Sequence, residues 1–142
     1  MPKSFEIAVF DGDGIGPEIM GPTVTILKAL ADQSDTYDLH FTTLPAGAAH
    51  YAKTGEGLPA TSLETAGKAD AILLSAMGLP DVRYPDGTEI SPQIDLRKAF
   101  NLFAGVRPVR VTPGGLTPLK MPEGKAIDFV LIRESTEGLF HT

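Results

Sequence analysis

The stretch Phe5-Glu6-Ile7-Ala8-Val9-Phe10, followed at once by Asp11-Gly12-Asp13-Gly14-Ile15-Gly16-Pro17, decides the fold class of this chain. The first six residues are mostly apolar and predict a short strand buried in a sheet. The glycines predict a tight turn, and Pro17 suits the first position of a helix, where a backbone N–H has no intrahelical partner. Apolar residues then recur at helical spacing, at Met20, Val24, Leu27 and Leu30.

The rest of the chain continues this alternation of strands and helices. Further strands are predicted over residues 38–43, 106–111 and 127–133, and a buried strand is predicted over residues 70–75. A helix over residues 63–68 would be capped by the Ser62 hydroxyl, and residues 46–53 form a short helix or a turn. Another helix is predicted to start at Ser91-Pro92, with the Ser91 hydroxyl as its cap, and to run to about Phe103. The alternation predicts an α/β fold with a mostly parallel sheet flanked by helices.

Composition and charge argue against several classes of protein. The chain has 142 residues, enough for one compact domain, and a net charge of -6, whereas a nucleic-acid binder normally carries a basic face. Without cysteine there is neither a disulfide framework nor a thiolate metal site. No apolar run approaches membrane-spanning length, and the first residues lack the apolar region of a signal peptide. We therefore expect a cytoplasmic protein that binds neither nucleic acid nor membrane.

The glycine turn after the first strand has two interpretations. A dinucleotide-binding loop would follow the pattern G-x-G-x-x-G, but here the third glycine, Gly16, comes one residue early. Glu18 also places a carboxylate in the first helical turn, where a pyrophosphate would need the positive end of the helix. We therefore favour a tight turn that packs the helix closely on the sheet. Asp11 and Asp13 are metal ligands or partners of local hydrogen bonds, and the second role is the more common in such turns.

Arginines in apolar surroundings are the strongest functional signal. Arg97 lies in a predicted helix, Arg107 precedes Pro108 at a strand, and Arg133 closes the strongly apolar stretch Ile127-Asp128-Phe129-Val130-Leu131-Ile132. A guanidinium stays charged and offers a rigid fork of donors that matches a carboxylate. Each arginine alone would be read as solvated or paired with an acid such as Asp95 or Glu134. Three of them at predicted element boundaries favour a cluster that binds a small carboxylate-rich ligand.

These residues resemble the amino-terminal part of the β-decarboxylating dehydrogenases, the isocitrate and isopropylmalate dehydrogenase family. The matching segments, in chain order, are Gly12-Asp13-Gly14-Ile15-Gly16-Pro17-Glu18, residues 70–78, Leu96-Arg97-Lys98 through Arg107-Pro108-Val109, and Leu131-Ile132-Arg133-Glu134-Ser135-Thr136-Glu137-Gly138. The match covers almost the whole chain but less than half of a typical member. It implies an isopropylmalate-dehydrogenase-like fold, with residues 1–102 in the large cofactor-side domain and 103–142 beginning a second domain.

The resemblance also implies a site and a reaction. Arg97, Arg107 and Arg133 would bind the carboxylates of a 2-hydroxy acid, with Ser91 at the position that contacts a third carboxylate in isocitrate-type members and Gln93 near substrate and nicotinamide. Residues 75–89 would form a loop against NAD or NADP, represented by Ser75, Gly78, Thr88 and Glu89. The reaction would be oxidation at C2 and loss of the β-carboxylate, assisted by Mg²⁺ or Mn²⁺.

The chain departs from the family pattern in ways that bear on activity. Phe140 occupies the position of the usual tyrosine acid, and the family's catalytic lysine, metal-binding aspartates and adenine pocket come later than Thr142. We therefore expect a fragment that is inactive alone, with no metal ligands of its own, taken from a homodimeric enzyme. A regulatory carboxylate-binding subunit of the same family remains the alternative. Ser91 favours isocitrate-like acids, whereas Ile90 and Ile94 would suit an isopropyl group, and tartrate and malate stay open.

Overall fold

The computed structural model describes residues 2–120, 122, 124–134 and 137. These residues divide into two units, Met1–Leu96 and Arg97–Thr142. The predicted boundary lies between residues 102 and 103, and the assignment of the two parts to a cofactor-side domain and a second domain stays a prediction. Among the described helices, none combines the length and the apolar character needed to cross a membrane.

The first unit is an α/β arrangement built on a parallel sheet. Its elements are β1 (Lys3–Phe10), α1 (Gly16–Ala31), β2 (Tyr37–Thr43), α2 (Ala48–Thr54), α3 (Ala60–Lys68), β3 (Ala71–Leu74) and the start of α4 (Pro92–Ala99). The strands lie in the order β2-β1-β3, and both pairings are parallel. Parallel neighbours need a crossover between them, and the helices that separate these strands in the sequence supply it. The predicted parallel sheet flanked by helices is therefore confirmed for this unit.

The core of this unit forms where β1 ends. Ala8, Val9 and Phe10 are buried, as is Met20 on the apolar face of α1. Pro17 lies at the start of α1, as predicted. The strand, the turn and the helix therefore form as the opening stretch predicts, and the turn comes at the carboxyl edge of the sheet, where ligands of open α/β sheets gather.

Several local predictions for this unit were wrong. Ser62 does not cap α3: it is buried inside the helix and its hydroxyl donates to the Pro45 carbonyl at 2.9 Å. β3 is not a buried strand, since it lies at an end of the described sheet and Leu74 is exposed. The last helix ends at Ala99 rather than near Phe103, because Asn101 turns the chain with a φ of 51°.

The second unit contains an antiparallel pair, β4 (Ala104–Val111) and β5 (Ile127–Glu134), so the mostly parallel pairing predicted for the chain does not extend to these two strands. A parallel pair needs a crossover, usually a helix, whereas the Pro- and Gly-rich connection between β4 and β5 contains no helix among its described residues. Both faces of the pair carry exposed apolar side chains, which include Val106, Val109, Phe129, Val130, Leu131 and Ile132.

Candidate active site

The glycine turn at the end of β1 is packed against the backbone that follows β3. A Cβ added at Gly12 would collide with the Ala76 carbonyl oxygen, and one added at Gly16 would collide with the Asp11 carbonyl oxygen. The turn uses its own N–H groups, because Asp13 donates to the Ala76 carbonyl and Gly16 donates to the Asp13 carbonyl, each at 2.8 Å. The close-packing interpretation of the turn is therefore confirmed, and these two N–H groups already have acceptors that a phosphate would have to replace.

The loop after β3 folds into a small hairpin. Arg83 and Glu89 bridge in antiparallel fashion, and the chain turns between Tyr84 and Gly87, where the Gly87 N–H donates to the Tyr84 carbonyl at 2.9 Å. Across the hairpin, the Arg83 guanidinium forms an ion pair with the Glu89 carboxylate at 3.1 Å. The result is an exposed pair of opposite charges held in fixed register.

This hairpin and the backbone before it enclose a cleft of about 250 Å³, lined by Met77, Gly78, Leu79, Pro80, Arg83, Glu89 and Ile90. Two of the predicted cofactor residues, Gly78 and Glu89, therefore lie on one cleft. Ser75 is outside it and donates its hydroxyl to the Gly16 carbonyl at 3.2 Å, which ties the loop to α1. Thr88 is exposed, and its backbone N–H donates to the Asp86 carboxylate at 2.9 Å.

Tyr84 packs the hairpin against α2, within the first unit. Its ring lies edge-on to that of Tyr51 in α2, with the centroids 5.0 Å apart. Its hydroxyl approaches Gly57 so closely that a Cβ there would lie 2.8 Å from the phenolic oxygen. Burial, with the nearby Asp95 carboxylate as a second cause, raises the pKa of Tyr84 above its ordinary value. Tyr84 therefore stays a neutral packing residue at neutral pH.

The start of α4 carries the two predicted substrate residues of the first unit. Ser91 does not cap the helix through its hydroxyl, which points back to the Glu89 carbonyl at 3.4 Å, although Pro92 takes the first helical position as predicted. The Gln93 side-chain oxygen is buried and has no hydrogen-bond partner within the described part of the chain. A buried acceptor without a donor is costly, so this oxygen marks a place where a ligand donor would be favourable.

Ile90 and Ile94 differ in how far their side chains are exposed for contact with a ligand. Ile90 is only 1% exposed and packs in the core, with its Cγ2 within 3.0 Å of where a Cβ on Gly57 would be. Ile94 is 44% exposed. Because Ile90 already stabilises the fold, only Ile94 offers a largely free apolar side chain for contact with a ligand.

Arg107 and Arg133 lie on one face of the β4–β5 pair. Gly105 stands opposite Arg133, and Arg107 stands opposite Leu131. Residues directly opposite share a face, and so do residues two apart in a strand, so Arg107 and Arg133 are diagonal neighbours with their Cβ atoms about 7 Å apart. Arg133 is the next-to-last residue of β5, close to its predicted place at the end of that strand, whereas Arg107 lies well inside β4 and its predicted boundary position was wrong.

Arg107 differs from the other arginine of its strand in having no carboxylate partner among the residues that the structure describes. Arg110, on the opposite face of the pair, forms an ion pair with Asp128 at 3.4 Å. Arg107 is exposed and faces the apolar Leu131 across the strands. Neither Arg107 nor Arg97, which is exposed in the last turn of α4, forms an ion pair with any acid that the structure describes. The convergence of Arg97 with Arg107 and Arg133, and of all three with Ser91 and Gln93, stays a prediction.

Other predicted residues divide into those with a structural role and those not described. Asp13 is buried and accepts backbone hydrogen bonds, which is the second of its two interpretations, while Asp11 is half-buried. Across the described positions, no group of three or more His, Asp and Glu side chains is arranged to hold a metal ion. Phe140, at the family's tyrosine position, lies outside the described residues.

The sequence interpretation missed Arg83. A local signal was present, because an arginine and a glutamate flank the turn residues Pro85-Asp86-Gly87 at positions that a short hairpin brings opposite each other. Asp13 was noticed but its partners were not, since they lie 35, 36 and 65 residues further along the chain. No local pattern could have identified contacts of that range.

Comparison with protein families and sequences agrees with this arrangement. A family model described as isocitrate/isopropylmalate dehydrogenase matches residues 6–142. A probable tartrate dehydrogenase/decarboxylase of Agrobacterium vitis is 36% identical over 137 residues, which cover 96% of this chain and 38% of that protein. The 3-isopropylmalate dehydrogenase of Streptococcus thermophilus is 39% identical over 140 residues, 95% of this chain and 39% of that protein. This chain therefore spans well under half the length of these relatives.

Solved structures show the same relationship. The crystal structure of isocitrate dehydrogenase from Methylococcus capsulatus matches 96% of this chain and 36% of its own, with a TM-score of 0.72 and 29% sequence identity. A β-decarboxylating dehydrogenase from Thermococcus kodakarensis matches 90% of this chain and 40% of its own, with a TM-score of 0.62 and 27% identity. The predicted fold class is confirmed by these matches.

Proposed function

Because this chain belongs to the isocitrate/isopropylmalate dehydrogenase family, we propose that it contributes the carboxylate-binding part of an enzyme that oxidatively decarboxylates a 2-hydroxy acid. The proposal includes NAD or NADP as oxidant and Mg²⁺ or Mn²⁺ as Lewis acid. We also propose that the whole enzyme is a cytoplasmic homodimer.

One observation carries the proposal: Arg107 and Arg133 share a face of the β4–β5 pair. Two guanidinium groups at this spacing suit two carboxylates of one small acid, or two oxygens of a single carboxylate. Arg107 has no carboxylate partner among the described residues, so its charge is available to a ligand. Arginine stays protonated, so it can bind and orient such a substrate without taking part in proton transfer. Arg97 is assigned to the same clamp by the resemblance.

The cleft beside the hairpin fits one end of a nicotinamide dinucleotide. Gly78 lines it without a side chain, and Glu89 offers carboxylate oxygens to amide or hydroxyl donors. The buried Gln93 oxygen would accept a donor from substrate or nicotinamide. When bound, NAD(P) would take the hydride from C2, and a divalent cation would stabilise the charge left by loss of CO₂. We propose that Ser75 and Thr88 belong to the same cofactor-facing loop, where the Ser75 hydroxyl also ties the loop to α1 and the Thr88 N–H holds the hairpin turn.

Ligand binding to this chain tests the proposal directly. We would follow thermal unfolding and calorimetric binding with tartrate, malate, isocitrate and 3-isopropylmalate, each with Mn²⁺. At least one of these acids should raise the unfolding midpoint, because a ligand that binds only the native state must stabilise it. Lactate is the matched control, since it carries the 2-hydroxy acid group but a single carboxylate. No stabilisation by any of the four acids would contradict the clamp.

The alternative is a carboxylate-binding regulatory subunit, and Phe140 is the feature that favours it. Phenylalanine has no proton to donate, so the usual acid of the family is missing. A hybrid enzyme separates the two functions: residues 6–142 would replace the matching segment of the Streptococcus thermophilus relative. Reduction of NAD or NADP by the hybrid, with an increase on Phe140→Tyr, supports the enzyme. A hybrid that binds a hydroxy acid without turnover in either form supports the regulatory subunit.

A further inference from the structure

Asp13 is a buried carboxylate with three backbone donors. It is 3% exposed, and its Oδ2 accepts hydrogen bonds from the N–H groups of Ala48 at 2.7 Å and Gly78 at 2.8 Å. Its Oδ1 accepts from the Ala49 N–H at 2.8 Å. Hydrogen bonds to a charged acceptor are stronger than neutral ones, and a buried carboxylate without them would be costly.

Two of the donors, Ala48 and Ala49, belong to the amino terminus of α2, which has no side-chain cap of its own. Its N-cap residue is Gly47, and its first turn contains no acidic residue. The N–H groups of a first helical turn have no intrahelical acceptor. Asp13 therefore caps α2 from a distant part of the chain. Gly47 makes room for it, because a Cβ at that position would lie 2.6 Å from Asp13 Oδ2.

The remaining donor, Gly78, belongs to the loop after β3, which Asp13 holds at two points. The Asp13 N–H donates to the Ala76 carbonyl at 2.8 Å, and the Asp13 carboxylate accepts from Gly78 two residues later. Met77 lies between these points, and Met77 and Gly78 both line the cleft that contains Glu89. Gly78 has a φ of 106°, a conformation that glycine adopts readily because it has no Cβ.

We infer that Asp13 is a positioning residue: its buried carboxylate holds the Gly78 backbone, and through it the wall of the cleft, in the form that receives the nicotinamide end of the cofactor. The inference rests on the proposed function for the identity of the ligand. The geometry that supports it is independent, since one oxygen joins the start of α2 to the loop. Asp13 touches neither substrate nor cofactor in this role.

The test compares Asp13→Asn with Ser62→Ala in the 142-residue chain. An asparagine presents one N–H₂ group to donors, so it cannot accept all three hydrogen bonds. Ser62 is the matched control because it is also buried and loses a hydrogen bond, to the Pro45 carbonyl, within the same unit. Amide exchange by NMR reports the loop, and titration with nicotinamide mononucleotide and with tartrate reports the two ligand sites.

In Asp13→Asn, loss of a hydrogen bond to a charged acceptor should increase the exchange rate of the Gly78 amide. We expect this increase to be about tenfold larger than the increase for the amides that pair β1 with β2. Nicotinamide mononucleotide should bind about tenfold more weakly, with tartrate affinity unchanged. Ser62→Ala should alter exchange without a selective change at Gly78 and should leave mononucleotide affinity unchanged. If Asp13→Asn acted only by a general loss of stability, both variants would show the same changes in Gly78 exchange and in mononucleotide affinity. That result would overturn the inference.

Other outcomes separate the inference from the proposed function. Equal mononucleotide binding by wild type and Asp13→Asn, or unchanged relative exchange at Gly78, overturns the role of Asp13 alone. Failure of the wild type to bind the mononucleotide contradicts the cofactor assignment itself and with it this inference. If Asp13→Asn fails to fold, Asp13→Glu keeps the charge but lengthens the side chain, and the same selective changes are expected there. Wild-type behaviour of a folded Asp13→Glu would also overturn the inference.

Discussion

Arg107 and Arg133 are diagonal neighbours on one face of the β4–β5 pair, and Gly105 stands directly across from Arg133. A side chain on Gly105 would approach the Arg133 carbonyl to 3.0 Å and its Cβ to 3.6 Å. The absence of that side chain keeps the surface next to both arginines open. The register of the two strands puts both arginines on one face, which is the arrangement that the proposed clamp for a small anion requires.

Replacing Arg107 should weaken binding of the hydroxy acid far more than replacing Arg110. Arg107→Ala should lower affinity for whichever acid stabilises the wild type by about tenfold to a hundredfold, because it removes a charged hydrogen-bond partner of the ligand. Arg107→Lys should recover only part of the loss, since lysine lacks the planar fork. Calorimetric titration measures both.

Arg110→Ala is the matched control for that series. Arg110 is in the same strand but on the opposite face, where Asp128 is its partner. An exposed ion pair contributes little to stability, so we expect neither a large loss of stability nor a change in affinity. Equal effects of Arg107→Ala and Arg110→Ala would show that general positive charge, rather than the Arg107–Arg133 face, attracts the ligand.

Gly12→Ala and Gly55→Ala should separate backbone strain from steric collision. The two glycines have almost the same φ, 79° and 80°, but a Cβ at Gly12 would collide with the Ala76 carbonyl whereas one at Gly55 would meet nothing within 4 Å. Gly55→Ala should therefore lower the free energy of unfolding by about 1 to 2 kcal/mol from conformation alone. Gly12→Ala should lower it by several kcal/mol more, or prevent folding. Denaturant unfolding measures the difference, and equal losses would contradict the close packing.

The hairpin turn should lose order as the pH falls. The Thr88 N–H, which donates to the Asp86 carboxylate, is the main cause that lowers the pKa of Asp86 below its ordinary value. A lowered pKa means that the carboxylate stabilises the turn above its ordinary pKa, and that this contribution disappears as the pH falls through the lowered value. NMR titration of the Asp86 carboxyl carbon and the Thr88 amide measures both events together.

Asp86→Asn provides the control for this titration. It should abolish the pH dependence of the Thr88 amide while leaving the turn partly capped by the amide oxygen. If the Thr88 amide of the wild type does not respond across the acidic range in which Asp86 titrates, the hydrogen bond between them does not hold the turn in solution.

Ser91 and Ile94 should determine whether the enzyme prefers isocitrate or 3-isopropylmalate. Ser91 would donate to the third carboxylate of an isocitrate-like acid, whereas Ile94, which is 44% exposed, would contact an isopropyl group. In the hybrid enzyme, Ser91→Ala should raise KM for isocitrate about tenfold if the first assignment holds. Ile94→Ser should do the same for 3-isopropylmalate if the second holds. Steady-state kinetics with both acids measure this, and unchanged KM values for both would exclude these two side chains as selectivity determinants.

Local patterns predicted much of the fold. β1, the glycine turn and α1 follow from apolar periodicity, glycine and a proline at the helix start, all of which act within a few residues. The same reasoning failed at Ser62 and at the end of α4. A serine before an apolar run signals a cap, but Ser62 instead found a buried acceptor in Pro45, which lies 17 residues earlier in the chain.

Pairing between strands was the least predictable part. The alternation of elements favoured a mostly parallel sheet but could not say which strands pair, and β4 and β5 are antiparallel, with no described helix between them. The register that puts Arg107 beside Arg133, and Arg110 beside Asp128, follows from that pairing. A shift of one residue would place the arginines on opposite faces.

The sequence by itself determined the strand-turn-helix opening, the presence of arginines in apolar segments and the family to which these segments belong, because each depends on residue identity and short spacing. Only the tertiary structure decided which arginines share a face and which donors surround Asp13. Those relationships join residues as far as 65 positions apart. They arise from sheet pairing and close backbone packing, in which the free energy of a contact depends on every element that brings it together.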